Sequence, residues 1–315
     1  MLGGPLSFAA LEGAHLNTDH TMVRLRRFFG DGGQVVSVRE ELRVDADGTA
    51  NAPYSLSFLG VEGELPGSQV TNEWAQNYAR FASFYAQHGT FSVRSLAKAE
   101  ANYSLHDFGP VMRAGRPAHR VVVFPNQLDK AVWLLDVDDA TMLTLYSAEY
   151  DARFRLLGEV EAQSLALTAQ VVVPNVPAMS LSTHGGFAAA KTAMGSPLGL
   201  VEPNKHFTAE YDLRLVQVAD NPLNGRQTLV LTYTDGIDEF FVIESPGVSE
   251  FFAGLPSMQK SGAKAVNTIA RYRDAAMSIL VFWDDGVGFE VTGRGSLQRL
   301  DGFAKAVYTQ ALLGN

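Results

Sequence analysis

The chain has no cysteine. Thiolate metal sites and disulfides are excluded, so reactivity must come from histidine, carboxylate and hydroxyl groups. The histidines are His15, His20, His88, His106, His119, His184 and His206. No two stand four residues apart, the spacing that sets two imidazoles on one helix face to bind zinc. Ser180, Ser182 and His184 place hydroxyls beside an imidazole, the ingredients of an activated nucleophile. They lie in a Gly- and Pro-rich stretch, a poor platform for such a site, and no Gly-x-Ser-x-Gly elbow accompanies them. Asp45-Ala46-Asp47-Gly48 and Asp136-Val137-Asp138-Asp139 begin like calcium loops. The twelfth position of each, where a bidentate Glu is needed, holds Leu56 and Ser147, so both predict hairpin turns. Gly293-Arg294-Gly295 stands between a strand and a helix, as a dinucleotide fingerprint does. Gln298 replaces the third glycine and the chain ends at Asn315, which leaves no room for a βαβ unit. The expectation is a protein that is not an enzyme and uses no cofactor or metal.

The elements around these residues form a rhythm that occurs twice. Short apolar segments of period two alternate with Asp/Gly turns from about residue 35 to 170, and again from about 207 to 292. Residues 18–29 predict a helix, with Met22, Leu25, Phe28 and Phe29 on one side and Arg24, Arg26 and Arg27 on a solvated face. Strands follow at Val36–Val44 and at Tyr54, Leu56 and Phe58, then at 119–124, 131–137, 142–149 and 154–160. Between them, Trp74, Tyr78, Phe81 and Tyr85 fall at i, i+4, i+7 and i+11, an amphipathic helix over 72–88 with an aromatic stripe. The second run predicts strands near 207–218, 227–234, 237–244, 264–273, 276–283 and 287–292. Thr234-Asp235-Gly236 and Asp284-Asp285-Gly286 are its turns. Ser296 then caps a terminal helix carrying Leu297, Leu300, Phe303, Ala304, Val307 and Ala311. Pro174, Pro177, Pro197 and Pro203 mark the boundary. The domains are therefore 1–173, a linker 174–204, and 205–315. The fold class is α+β: a curved antiparallel half-barrel with a helical lid, followed by a smaller antiparallel-sheet α+β domain.

Lys+Arg 25 against Asp+Glu 34 gives a net charge of −9. Such a chain repels phosphate backbones, so nucleic acid is excluded as a partner. A hydrophobic fraction of 46% with 19% charged residues is that of a folded protein, not a disordered one. No apolar stretch reaches about 18 residues, so contact with a membrane is peripheral at most. Met1 to Leu6 carries neither the basic nor the long apolar region of a signal peptide. The chain is thus cytoplasmic or starts downstream of its signal.

With no catalytic constellation, the large apolar residues become the candidate site. Tyr54, Leu56, Phe58, Trp133, Leu135 and Phe154 are placed on the concave face of the first sheet, with Trp74, Tyr78 and Phe81 as a lid above it. They line a cavity for an apolar ligand, or they are packed core.

The segment Ala114-Gly115-Arg116 through His119-Arg120-Val121-Val122-Val123-Phe124-Pro125, then Lys130-Ala131-Val132-Trp133-Leu134-Leu135-Asp136 and the paired strands Thr141–Tyr150 and Phe154–Leu167, resembles the LolA/LolB lipoprotein-carrier fold. It is most similar to the N-terminal domain of the MucB/RseB sigma-E regulatory family. Leu229 to Ile237 with its Tyr233-Thr234-Asp235-Gly236 hairpin, followed by Phe240-Phe241-Val242-Ile243-Glu244, resembles that family's C-terminal domain. The resemblance implies a periplasmic, non-catalytic regulator. It would bind the periplasmic segment of a membrane-anchored anti-sigma factor and respond to a lipid or acylated ligand. The alternative it leaves is a LolA/LolB-type carrier.

Overall fold

The computed structural model describes residues 6–29, 35–48, 54–63, 90–127, 130–168, 180–195, 211–220, 226–246, 270–274, 277–284, 287–294, 300, 304, 305 and 307. The chain divides into two compact units, Met1–Ala178 and Met179–Asn315.

The first unit begins with helix α1 (Phe8–Asn17), capped by Ser7, whose side chain accepts from the Ala10 amide at 3.2 Å. Phe8, Leu11 and Ala14 are its buried side. Three ten-residue strands follow: β1 (His20–Phe29), β2 (Val35–Val44) and β3 (Tyr54–Gly63). Helix α2 (Leu96–Asn102) packs against α1. It leads into the meander β4 (Tyr103–Arg113), β5 (Arg116–Pro125), β6 (Val132–Asp138), β7 (Thr144–Tyr150) and β8 (Leu156–Ala166). All eight strands form one antiparallel sheet in the order β3-β2-β1-β8-β7-β6-β5-β4.

The expected helix over 18–29 is therefore a strand, and it is the one that joins the two halves of the sheet. Met22, Leu25 and Phe28 happen to sit at helical spacing. The buried side of the strand is instead His20, Met22, Arg24 and Arg26. Its period of two is hidden because three of the four inward residues can carry charge. The aromatic stretch 72–88 lies outside the described residues.

The second unit carries the sheet β13-β14-β15-β12-β11-β10-β9. Its strands are β9 (Ser180–His184), β10 (Asp212–Asp220), β11 (Gln227–Thr234), β12 (Glu239–Pro246), β13 (Ala270–Asp274), β14 (Met277–Asp284) and β15 (Val287–Arg294). The stretch read as a linker thus supplies β9, which pairs with β10, and helix α3 (Phe187–Ala193), whose Ala190 is fully buried in this unit's core. The prolines lie at the two ends of 174–204. Gly185 and Gly186 only turn the chain between strand and helix, and Ser180–Ala193 contains no proline.

The β11–β12 turn forms as its residues dictate. Asp235 Oδ1 accepts the Ile237 and Asp238 amides, Thr234 Oγ1 donates to the Asp238 carbonyl, and Gly236 takes φ +114. One face of this sheet (Val216, Val218, Leu229, Leu231, Phe240, Val242, Phe289, Val291) packs with Ala190 and with Leu300, Ala304 and Val307. The last three are helical and lie at i, i+4 and i+7.

Candidate functional site

Register defines the two faces of the first sheet, because directly paired residues share a face. Leu42 pairs with Met22 and Leu56, Glu40 with Arg24 and Phe58, and Val44 with Tyr54. Arg26 pairs with Val160, Val160 with Ser147, Ser147 with Leu135, and Leu135 with Val121. Tyr54, Leu56, Phe58, Trp133 and Leu135 therefore all lie on one face, as the alternation predicts. Leu56 packs with Val38 and Leu42, and Tyr54 and Phe58 lie half-buried against them. Trp133 and Leu135 are buried, and the Phe91 ring meets the Trp133 indole edge-on at 5.6 Å. Trp74, Tyr78 and Phe81 lie outside the described residues.

Phe154 does not line this face. It sits in the β7–β8 turn at φ +58 and is 67% exposed. The alternation was carried one turn too far, since β8 starts at Leu156.

The same face holds charged groups that periodicity missed. Arg24 is 4% exposed, Arg26 2% and Glu40 0%, where a solvated helix face was expected for the arginines. Arg24 Nε and Arg26 Nη2 both donate to Glu40 Oε1, the second at 2.9 Å. Burial raises the Glu40 carboxyl, but the two guanidinium groups outweigh it and hold the pKa below the usual carboxylate value. Burial lowers Arg24, and it also pushes His20 toward its neutral form. The signal in the sequence is Arg24-x-Arg26 together with Glu40, which takes one even position inside the Val36, Val38, Leu42, Val44 alternation. It becomes legible only once the residues are known to be a strand.

Arg27 points the other way and starts a polar ladder on the opposite face. It donates to Glu159 and, at 3.3 Å, to Glu161. Tyr146 donates to Glu159 at 2.7 Å and lies under the Arg113 guanidinium at 4.4 Å. Arg113 binds Glu161 at 2.7 Å, and both Arg113 and Arg120 donate through Nε and Nη2 to the buried Asp136 carboxylate. Three cations and three anions close this network across β1, β8, β7, β6, β5 and β4. Burial, followed by the Glu159 contact, pushes the Tyr146 hydroxyl well up. The Asp136-Val137-Asp138-Asp139 run is thus spent on arginines and on a turn, in which Asp138 accepts from Arg116 and Thr141.

Ser182 Oγ lies 3.1 Å from His184 Nε2 on the edge strand β9, but Ser182 also donates to the Val218 carbonyl. Among the described residues no carboxylate holds His184. An exposed Ser–His contact with no orienting acid lacks the arrangement that activates a hydroxyl.

No family model matches the chain, and no curated protein matches it. Solved structures do. A crystal structure of MucB aligns over 95% of this chain and 94% of its own, at 16% identity and a TM-score of 0.55. The chain has the MucB/RseB-type fold. MucB in complex with MucA(peri) aligns over 93% and 94% of the two chains at a TM-score of 0.47, and the Pseudomonas aeruginosa MucA/MucB complex over the same shares at 0.45, each at 16% identity. The MucB alignment runs through both units.

Proposed function

We propose that the chain is a non-catalytic periplasmic regulator that binds the periplasmic segment of a membrane-anchored anti-sigma factor and responds to a lipid or acylated ligand. The observation that supports this most is the MucB likeness through both units at 95% coverage, together with MucB having been solved with MucA(peri). In this reading the eight-stranded sheet is a LolA-like half-barrel. The ligand is held on the face of Tyr54, Leu56, Phe58, Trp133 and Leu135. Burying an acyl chain there is favourable by about 0.8 kcal/mol per CH₂. Regulation requires that the ligand bind one arrangement of the protein better than another. A carrier of the LolA/LolB type would use the same face without a second sheet and without a protein partner, so the second unit favours the regulator.

The deciding experiment is calorimetric titration of the full chain with the periplasmic segment of the membrane-anchored anti-sigma factor from the same genome. The expected result is saturable one-to-one binding, weakened once lysolipid is present. Absence of binding, with lipid recovered in stoichiometric amount by native mass spectrometry from a membrane-containing lysate, would replace the regulator with the carrier.

A further inference from the structure

We propose that the β7–β8 turn is a membrane-contacting tip, in which the Phe154 ring, carried between Arg153 and Arg155, enters the interface of an anionic lipid surface. The inference stands on the geometry of the turn and needs neither the anti-sigma partner nor an occupied apolar face.

Phe154 is 67% exposed and holds φ at +58, a backbone region that a bulky L-residue occupies only under constraint. Asp151 supplies the constraint. Its amide donates to the Arg155 carbonyl at 2.9 Å and its carbonyl accepts the Phe154 amide at 2.8 Å. Its Oδ1 accepts the Arg153 amide at 2.8 Å and the Arg155 amide at 2.9 Å, and its Oδ2 accepts Arg155 Nε at 2.8 Å. The turn is therefore over-determined by one carboxylate at its base, and residue 154 is fixed in place rather than free to fold back. Glycine or asparagine would make this turn without strain. An aromatic ring that stays in solvent at a strained position is the kind of outlier from which an external contact is inferred.

The neighbours define the chemistry of that contact. Arg153 is exposed and the Arg155 side chain is 58% exposed. Asp151 offsets one of the two, so the tip is locally positive on a chain of net charge −9. A convex tip with a single ring offers no groove to a peptide. It fits a soft surface, where an aromatic side chain sits at headgroup depth and arginine meets phosphate.

The full chain carrying Phe154→Trp, titrated with vesicles of mixed phosphatidylglycerol and phosphatidylcholine, should show a blue shift beyond that of the wild type, which carries Trp74, Trp133 and Trp283 as background. The shift should shrink with added salt and be absent with phosphatidylcholine alone. Phe154→Ala should lose co-sedimentation with the anionic vesicles by about tenfold or more, and Arg153→Gln by several-fold. Both should keep the wild-type circular dichroism spectrum, because an exposed ring contributes little to the core. Unchanged emission with both vesicle types, or Phe154→Ala sedimenting like the wild type, would overturn the proposal. Loss of binding to an acidic protein on Phe154→Ala, with no vesicle effect, would likewise overturn it and assign the tip to a protein contact.

Discussion

Gly293 on β15 pairs with Phe240 on β12, and the Phe240 ring lies where a side chain at 293 would begin: a Cβ there would stand 2.0 Å from Cδ1 and 2.6 Å from Cε1. This accounts for the glycine of the Gly293-Arg294-Gly295 run without a nucleotide. The residue is small so that an aromatic on the next strand can cross it. Gly293→Ala must displace a ring that is only 2% exposed and lies in the core of the second unit. The expected loss is about 1–3 kcal/mol, measured by denaturant unfolding, and Phe240→Leu in the same chain should recover part of it. A Gly293→Ala chain as stable as the wild type would show that the ring is free to move aside.

Glu40 holds two arginines on a buried face, so its replacement should cost far more than its own contacts. Glu40→Gln leaves Arg24 and Arg26 buried without their carboxylate, a loss of about 3–5 kcal/mol. Changing Arg24→Met together with Glu40→Gln should lose less than the sum of the single changes, and the double-mutant cycle reads the coupling. The pH dependence follows from the lowered Glu40 pKa. The folded state binds the proton less readily than the unfolded state, so the pair's contribution is present above the unfolded value and is lost as pH falls through the folded one. Urea midpoints for the wild type and Glu40→Gln should converge on the acid side.

Glu290 behaves oppositely. Its Oε2 is buried without a hydrogen-bond partner, and burial pushes its pKa up to about 8. Between the ordinary value of 4.5 and about 8 the folded chain holds a proton that the unfolded chain has released. Stability therefore falls as pH rises through that window, with a limiting slope of about 1.4 kcal/mol per pH unit, and levels off above it. Glu290→Gln should remove this slope and make the second unit more stable than the wild type at pH near 8. Thermal unfolding at several pH values distinguishes the two, and parallel curves would refute the assignment.

Phe154→Gly should stabilise the first unit by roughly 0.5–1 kcal/mol, because it relieves a positive φ and sacrifices only an exposed ring. Asp151→Ala should do the reverse by about 1–2 kcal/mol, since it frees two amides and a guanidinium at once. Differential melting of both variants checks the pair. A stabilised Phe154→Gly chain that no longer binds vesicles would separate strain from its use.

Much of the sheet architecture was legible. β2, β3 and the β5–β8 meander lie where alternation and Asp/Gly turns place them, because most of their inward residues are apolar, with Glu40, Ser147 and Glu149 as the exceptions. β10, β11, β12 and β15 were found for the same reason, although the start of β10 was placed several residues early. Helix α1 escaped although Phe8, Leu11 and Ala14 are buried; the other segments that escaped have few apolar inward residues. β1 hides its period behind His20, Arg24 and Arg26, and α2 buries only Ala99. β9 is an edge strand with four exposed or half-exposed hydroxyl and imidazole side chains. The apolar face was legible as a set of residues on one side of the sheet. Its buried charges were not, because a charge is read as solvent-facing until its partner across the strands is known. Phe154 shows the converse error, an aromatic assumed to point inward because aromatics usually do.

The order β3-β2-β1-β8 places Thr21 beside Ala166, and the Thr21 hydroxyl on the Thr168 carbonyl. During synthesis, β1 to β3 emerge as a hairpin pair with one edge of β1 unfilled, and that vacancy persists until β8 has left the ribosome. Every strand between them must be made first. The first unit therefore closes last at its seam, and for most of translation the nascent chain displays the open edge of β1, which bears Arg24 and Arg26, with Glu40 on the already paired β2 beside them. Charge on that edge discourages pairing with a neighbouring chain. The arginines that look costly in the finished fold thus also guard the edge of β1 against mispairing while the fold is incomplete.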